Sequence, residues 1–218
     1  MLGVVSGSQF IAQPWGISTF GRGDVNSEPD YAVLQLAINR RENKADKAMK
    51  AARESATSLR AAARRLGIAD EGISSSRIRL NSVWSSQKEG SKFLGYDSGV
   101  AFSIRISDLA IVDQALVELI DAGADQVQGI TYDASNKAEL RAQARRAAVD
   151  AARAKAELYA DAAGVALGPV LHIEDVDPER LRSELRRGGG SNANSNSDLA
   201  PGQITVSAAV VLGFALAP

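Results

Sequence analysis

The side chains able to do chemistry are few and scattered in this sequence. His172, in GPVLHIEDVD, is the only histidine, and cysteine is absent. One imidazole without thiolates assembles neither the usual transition-metal clusters nor a cysteine nucleophile. On a strand, His172 lies on the same side as Glu174 and opposite Leu171 and Ile173, which predicts a solvent-facing strand residue. We therefore predict no catalytic residue, no cofactor-binding residue and no metal site.

Two short motifs suggest ligand chemistry but lack the residues that it needs. The acidic run EDVDPE, residues 174–179, offers oxygen ligands for Mg²⁺ or Ca²⁺, yet it has neither the spacing nor the glycine of an EF-hand. TFGRGDV, residues 19–25, has no GxGxxG pattern, no Walker lysine and no following helix to cradle a phosphate. The first run is therefore interpreted as a solvated loop. Gly21 and Gly23 are expected to mark a bulge or a close backbone approach in a strand.

A cluster of aromatic residues is the strongest candidate for a binding surface. Trp84, Phe93 and Tyr96 surround SSQKEGSKFLG, the predicted tip of a hairpin spanning residues 84–96. Stacking on nucleic-acid bases needs basic surroundings, whereas the charges here are mixed and few. We therefore expect these three side chains to serve in core packing or in a protein contact.

Strand and helix patterns alternate along the chain, and these elements must position the residues named above. Apolar side chains recur at every second residue in four segments, which are residues 30–41, 75–86, 99–107 and 204–216. Helical spacing appears from about Asn43 to Leu66, from Ser107 or Asp108 to Gly123, and from Ser135 or Asn136 to Gly164. The order β-β-α-β-β-α-β-α-β-β predicts an α+β fold with three main helices packed on a largely antiparallel sheet.

The longest helix is rich in arginine and alanine, and three roles are open to it. We predict one apolar stripe along it, formed by Leu140, Ala144, Ala147, Ala151, Ala154, Leu158 and Ala162. Arg146 with Asp150 and Arg153 with Glu157 are spaced for ion pairs. Mostly alanine, the stripe offers little area for a coiled coil. With 25 basic and 26 acidic residues in the chain, a packed helix is favoured and no nucleic-acid partner is predicted.

The ends and loops complete the predicted organisation. Residues 1–14 are assigned to an N-terminal extension, residues 15–218 to one domain, and the Gly-, Ser- and Asn-rich segment 187–202 to a flexible loop. No segment has the roughly 20 apolar residues of a transmembrane helix. Because the first 21 residues carry no charge, the basic start of a secretory signal is missing. We therefore expect either a cytoplasmic protein or a protein whose targeting segment was removed before this sequence was numbered.

Several segments in a fixed order resemble the SIMPL-domain family, which includes bacterial periplasmic immunogenic proteins. They are GRGDVNSEPDYAVLQLAI, ADKAMKAARESATSLRAAARRLGI, LGYDSGVAFSIRISDLAIVDQAL, GADQVQGITYD, ELRAQARRAAVDAARAKAELYADAAGVALGPVLHIED and PGQITVSAAVVLGFAL. The resemblance implies an α+β fold, a periplasmic location, ring- or channel-like homo-oligomers in the cell envelope and a link to tolerance of oxidative stress. It implies no catalytic residues.

Three functional hypotheses follow from the residues and the resemblance. The leading one is a non-enzymatic envelope protein that self-assembles through sheet edges, helix faces or the 84–96 hairpin. The second is a binding module or adaptor that meets an envelope protein partner through this hairpin or through loop 187–202. The third is a hydrolase without a recognisable motif, which would show a pocket with convergent polar groups and a perturbed carboxylate.

Overall fold

The computed structural model of the protein describes residues 16–85, 91–177 and 202–217. The chain divides into two compact units, one made of Met1–Glu28 with Asn136–Pro218 and the other of Pro29–Ser135. Every strand pairing among the described residues is antiparallel, and three α-helices are present there. The predicted α+β fold class is confirmed, and the strands form two sheets.

The first unit is a three-stranded sheet with one long helix. Its elements are β1 (Gly16–Ser27), α3 (Lys137–Ala163), β7 (Ala166–Val176) and β8 (Ile204–Ala217), and the strand order is β1-β8-β7. The central strand β8 buries one apolar face, as its alternating pattern predicts: Val206, Ala208, Val210, Leu212 and Phe214. Alanines of α3 pack against three of these residues to form the core of the unit.

The buried stripe of α3 differs from the predicted one. Its members are spaced strictly by four residues: Leu140, Ala144, Ala148, Ala152, Ala156 and Ala160. Beyond Ala144 the prediction was wrong, and Leu158 is 65% exposed. A row of residues four apart is inclined by about 26° to the helix axis. The strands of the sheet twist, and we infer that the twisted sheet contacts this inclined row of α3. It does not contact a row parallel to the helix axis, which explains the four-residue spacing of the buried alanines.

The second unit is a five-stranded sheet with two helices. Its elements are β2 (Tyr31–Glu42), α1 (Ala45–Arg65), β3 (Ile73–Ser75), β4 (Arg79–Ser85), β5 (Lys92–Ile106), α2 (Val112–Asp121) and β6 (Gln126–Asp133). The main path is β3-β5-β2-β6, and β4 also pairs with β5. The predicted alternation is confirmed in β2 and β5, whose buried side chains join residues of α1 and α2 in one core.

Glycines end all three helices. Gly67, Gly123 and Gly164 have φ angles of 79°, 115° and 70°, a left-handed region that favours glycine. In each case the N–H of the next residue donates to a carbonyl of the last turn, as Val165 does to Ala160 at 3.0 Å. The sequence predicts this device after α1 and α3, and the structure adds α2.

Candidate interaction surface

Three aromatic rings meet on the β4–β5 hairpin. Trp84 of β4 is paired directly with Phe93 of β5, so both side chains lie on one face of the ribbon. Their ring centroids are 5.1 Å apart with an interplanar angle of 64°, and Phe93 and Tyr96 are 5.2 Å apart at 71°. Both are edge-to-face contacts, a geometry that aromatic quadrupoles favour. We call Trp84, Phe93 and Tyr96 the aromatic surface.

A backbone irregularity brings Phe93 and Tyr96 together. In a regular strand, residues three apart point to opposite faces. Here the register of β4 and β5 shifts between Val83 and Trp84, and Gly95 has a φ of 128°. A Cβ on Gly95 would lie 2.6 Å from the carbonyl oxygen of Glu42, so a larger residue does not fit. Strand alternation alone does not predict this contact.

The aromatic surface lies outside the core. Trp84 is 56% exposed and Phe93 38% exposed, while Tyr96 is half-buried. Leu80, expected on the apolar face of β4, is also exposed, so the predicted half-buried strand is wrong at this point. Of the two roles that the sequence left open for the aromatics, core packing is therefore excluded for Trp84. A protein contact stays a prediction.

An ion pair joins β2 to β5 at the residue that follows Tyr96. The Arg41 guanidinium of β2 donates to both carboxylate oxygens of Asp97, from Nε at 2.6 Å and from Nη2 at 2.8 Å. The hydrogen bond from Arg41, assisted by its charge, lowers the pKa of Asp97, and Asp97 in turn raises the pKa of Arg41. The pair links β2 to the strand that carries Phe93 and Tyr96.

The shifted carboxylates do not resemble those of a general acid. The pKa values of Asp97 and Asp70 are both lowered, chiefly by a hydrogen bond from an arginine, which is Arg64 for Asp70. A general acid at neutral pH needs the opposite shift. Within the part of the chain that the structure describes, no group of three His, Asp or Glu side chains is placed to hold a metal ion.

His172 occupies a different setting from the predicted one. Its Nε2 lies 3.9 Å from Oε2 of Glu174, so the two side chains share a face as expected. Both are half-buried, however, while Leu171 and Ile173 are 53% and 66% exposed. The prediction of a solvent-facing histidine beside inward apolar residues was wrong. Burial alternates regularly from Val170 to Val176, so the period of two holds and the prediction assigned the wrong side of β7 to the interior.

Other predicted features fall outside the described residues. They include the extension, residues 1–14, and all of loop 187–202 except Gly202. No helix in the described ranges combines the length and the apolarity that crossing a membrane requires.

The fold and the surface together define a class, an α+β protein that carries ordered, exposed aromatic side chains on a β-hairpin. The chain belongs to the SIMPL family, whose model, described as "Protein of unknown function (DUF541)", matches residues 17–214. The resemblance deduced from the sequence is thereby confirmed.

Relatives in this family come from several bacteria. The chain is 31% identical over 186 residues to the 26 kDa periplasmic immunogenic protein of Brucella melitensis biotype 1, covering 83% of this chain and 74% of the relative. The protein of the same description from Brucella abortus (strain S19) gives the same identity and coverage. A more distant relative, the uncharacterized protein YggE of Escherichia coli (strain K12), is 25% identical over 169 residues, covering 76% and 69% of the two chains.

Proposed function

We propose that this chain is a non-enzymatic cell-envelope protein that assembles into a ring- or channel-like homo-oligomer through its aromatic surface. The observation that carries the proposal is the exposure of Trp84 and Phe93 in a fixed edge-to-face pair. Rings held in one orientation lose little conformational freedom on binding, and aromatic residues are enriched at the centres of interfaces.

The surroundings of the rings support a protein contact. Leu94 is 46% exposed and Leu80 37% exposed, so the same hairpin exposes further apolar side chains. Large apolar side chains that are exposed together on one element commonly mark an interaction site. A periplasmic location is proposed from the printed description of the two Brucella relatives. The link to oxidative-stress tolerance belongs to the same proposal and rests on the family resemblance.

A pair of matched variants tests the role of the aromatic surface. Trp84→Ala should shift the oligomer toward the monomer at least tenfold, because hot-spot aromatics contribute about 2 kcal/mol or more to association. Tyr159→Ala is the control, since Tyr159 is also aromatic and is equally exposed, at 56%, but lies on α3. Light scattering after size-exclusion chromatography measures both. If Trp84→Ala and the parent chain have the same mass in solution, the aromatic surface is not part of the interface.

The same surface also fits the second hypothesis, an adaptor that binds an envelope protein partner. The two proposals differ in the unmixed protein, because an adaptor without its partner is a monomer of 22.9 kDa. The adaptor is favoured if the parent chain is monomeric and captures a partner, and if Trp84→Ala no longer captures it.

A further inference from the structure

A groove in the second unit combines arginines with an apolar wall. It is open to solvent and has a volume of about 370 Å³. Arg53 and Arg60 of α1 line one side, Ser75 and Ile78 line the other, and Phe102 of β5 forms the floor. All of these residues belong to one compact unit, and none is part of the aromatic surface.

Arg60 is already held in place for binding. Its Nη2 donates to Oγ of Ser75 at 2.6 Å, and its Cζ lies 5.7 Å from the ring centroid of Phe102. A guanidinium carries five N–H donors, so most of them remain for a ligand. Because two contacts fix the side chain, a ligand that binds it meets little of the usual entropy cost of ordering an arginine.

Arg53 adds a second cation that the groove does not neutralise. Its guanidinium has no hydrogen-bond or ion-pair partner among the described residues, and no aspartate or glutamate is found in the lining. Arg53 and Arg60 are seven positions apart, which is about two helical turns, so both side chains lie on the same side of α1. The groove is therefore a place of local positive charge in a chain that is almost neutral overall.

The opposite wall supplies a hydroxyl and an apolar surface. Ser75 accepts the hydrogen bond from Arg60 and retains its own proton for donation. Ile78 lines the groove and is half-buried, and it offers aliphatic surface next to the cations. An anion with an apolar portion satisfies both halves of this lining, whereas a purely inorganic anion uses only one.

From this juxtaposition we propose that the groove binds a carboxylate that bears an aliphatic chain of medium length. The planar fork of Arg60 matches the two oxygens of a carboxylate, with Arg53 and Ser75 as further donors. Ile78 and the floor contact the aliphatic chain. The volume of the groove is at the lower end of the range for small-molecule pockets, which limits the chain to medium length.

Three probes separate the contributions of charge and apolarity. Isothermal titration calorimetry with octanoate should give one saturable site per chain, with a Kd on the order of 1 mM or tighter. 1-Octanol, which lacks the charge, and inorganic phosphate, which lacks the aliphatic chain, should each bind at least about tenfold more weakly. The proposal is overturned by unsaturable octanoate binding, or by either comparison probe binding as tightly as octanoate.

Matched arginine variants locate the site. Arg60→Gln and Arg53→Gln should each weaken octanoate binding about tenfold, because each removes a charge-assisted interaction. Arg65→Gln, which makes the same charge change at an exposed position outside the groove lining, should leave the affinity unchanged. If Arg60→Gln fails to fold, Arg53→Gln still tests the location of the site, because the Arg53 side chain is exposed and its replacement does not disturb the core. Equal weakening by all three variants would overturn the assignment, while Trp84→Ala should not alter octanoate binding.

Discussion

Gly21 of β1 lies directly against the backbone of Ala148 in α3. A Cβ added to Gly21 would overlap the carbonyl oxygen of Ala148 and lie 2.6 Å from the amide nitrogen of Ala152. Gly23 makes the same approach one helical turn earlier, at 2.7 Å from the amide nitrogen of Ala148. The long helix therefore packs on the sheet with glycine on one side and alanine on the other.

This contact predicts that Gly21→Ala is strongly destabilising. The added methyl group meets helix backbone, which cannot move aside as a side chain does, so we expect a loss of about 3 kcal/mol in the free energy of unfolding. Gly129→Ala is the matched control, because a Cβ at Gly129 of β6 meets no atom within 4 Å. Urea denaturation compares the two variants. Similar midpoints for both would contradict the close packing of β1 on α3.

Thr19 adds a buried hydrogen bond to the same contact. Its Oγ1 donates to the carbonyl oxygen of Ala152 at 2.7 Å. Thr19→Val keeps the shape of the side chain but removes the donor, and should lower the free energy of unfolding by about 1 kcal/mol. Thermal unfolding followed by circular dichroism is sufficient to detect this change. An unchanged unfolding temperature would mean that the hydrogen bond contributes nothing.

Ser98 predicts the opposite sign. This residue of β5 is fully buried, and its Oγ has no hydrogen-bond partner among the described residues. Ser98→Ala removes an unsatisfied hydroxyl and should raise the free energy of unfolding by about 1 kcal/mol. Ser103→Ala is the control, because Oγ of Ser103 accepts from Nε2 of Gln35 at 3.2 Å. In chemical denaturation, the midpoint of Ser98→Ala should rise relative to the parent chain and that of Ser103→Ala should fall. A destabilised Ser98→Ala would refute this reasoning.

The ion pair between Arg41 and Asp97 predicts a pH dependence. Since pairing with Arg41 lowers the pKa of Asp97 in the folded state, its stabilisation is present above the ordinary pKa of aspartate. That stabilisation is lost as the pH falls through the lowered value. Arg41→Gln should return the pKa of Asp97 toward its ordinary range, as read from the carboxyl carbon in an NMR titration. Arg64→Gln should instead release Asp70 and leave Asp97 unchanged.

The regular elements were predictable because their signals are local. Alternating apolar residues locate β2, β5 and β8, and a glycine after the last helical residue marks the ends of α1 and α3. The buried stripe of α3 was not predictable in full, because its four-residue spacing depends on the sheet that it meets. The close approach at Gly21 and Gly23 was one of two expected alternatives, and the structure selects it.

The candidate surface was predictable in its members but not in its geometry. The sequence brings Trp84 and Phe93 to one hairpin, but the Tyr96 contact depends on the φ of Gly95 and on a register shift. Both are properties of strand pairing and leave no periodic signal. At His172 the alternation of burial is regular, and the prediction failed because it assigned the apolar residues Leu171 and Ile173 to the buried side.

The mass of the unmodified chain in solution tests the central claim most directly. Analytical ultracentrifugation from low to high micromolar concentration should show one dominant species of two or more whole chains of 22.9 kDa, in keeping with a closed ring. Dissociation should begin only at the lowest concentrations. A species of 22.9 kDa at every concentration, salt and pH would contradict the assembly proposed for this protein.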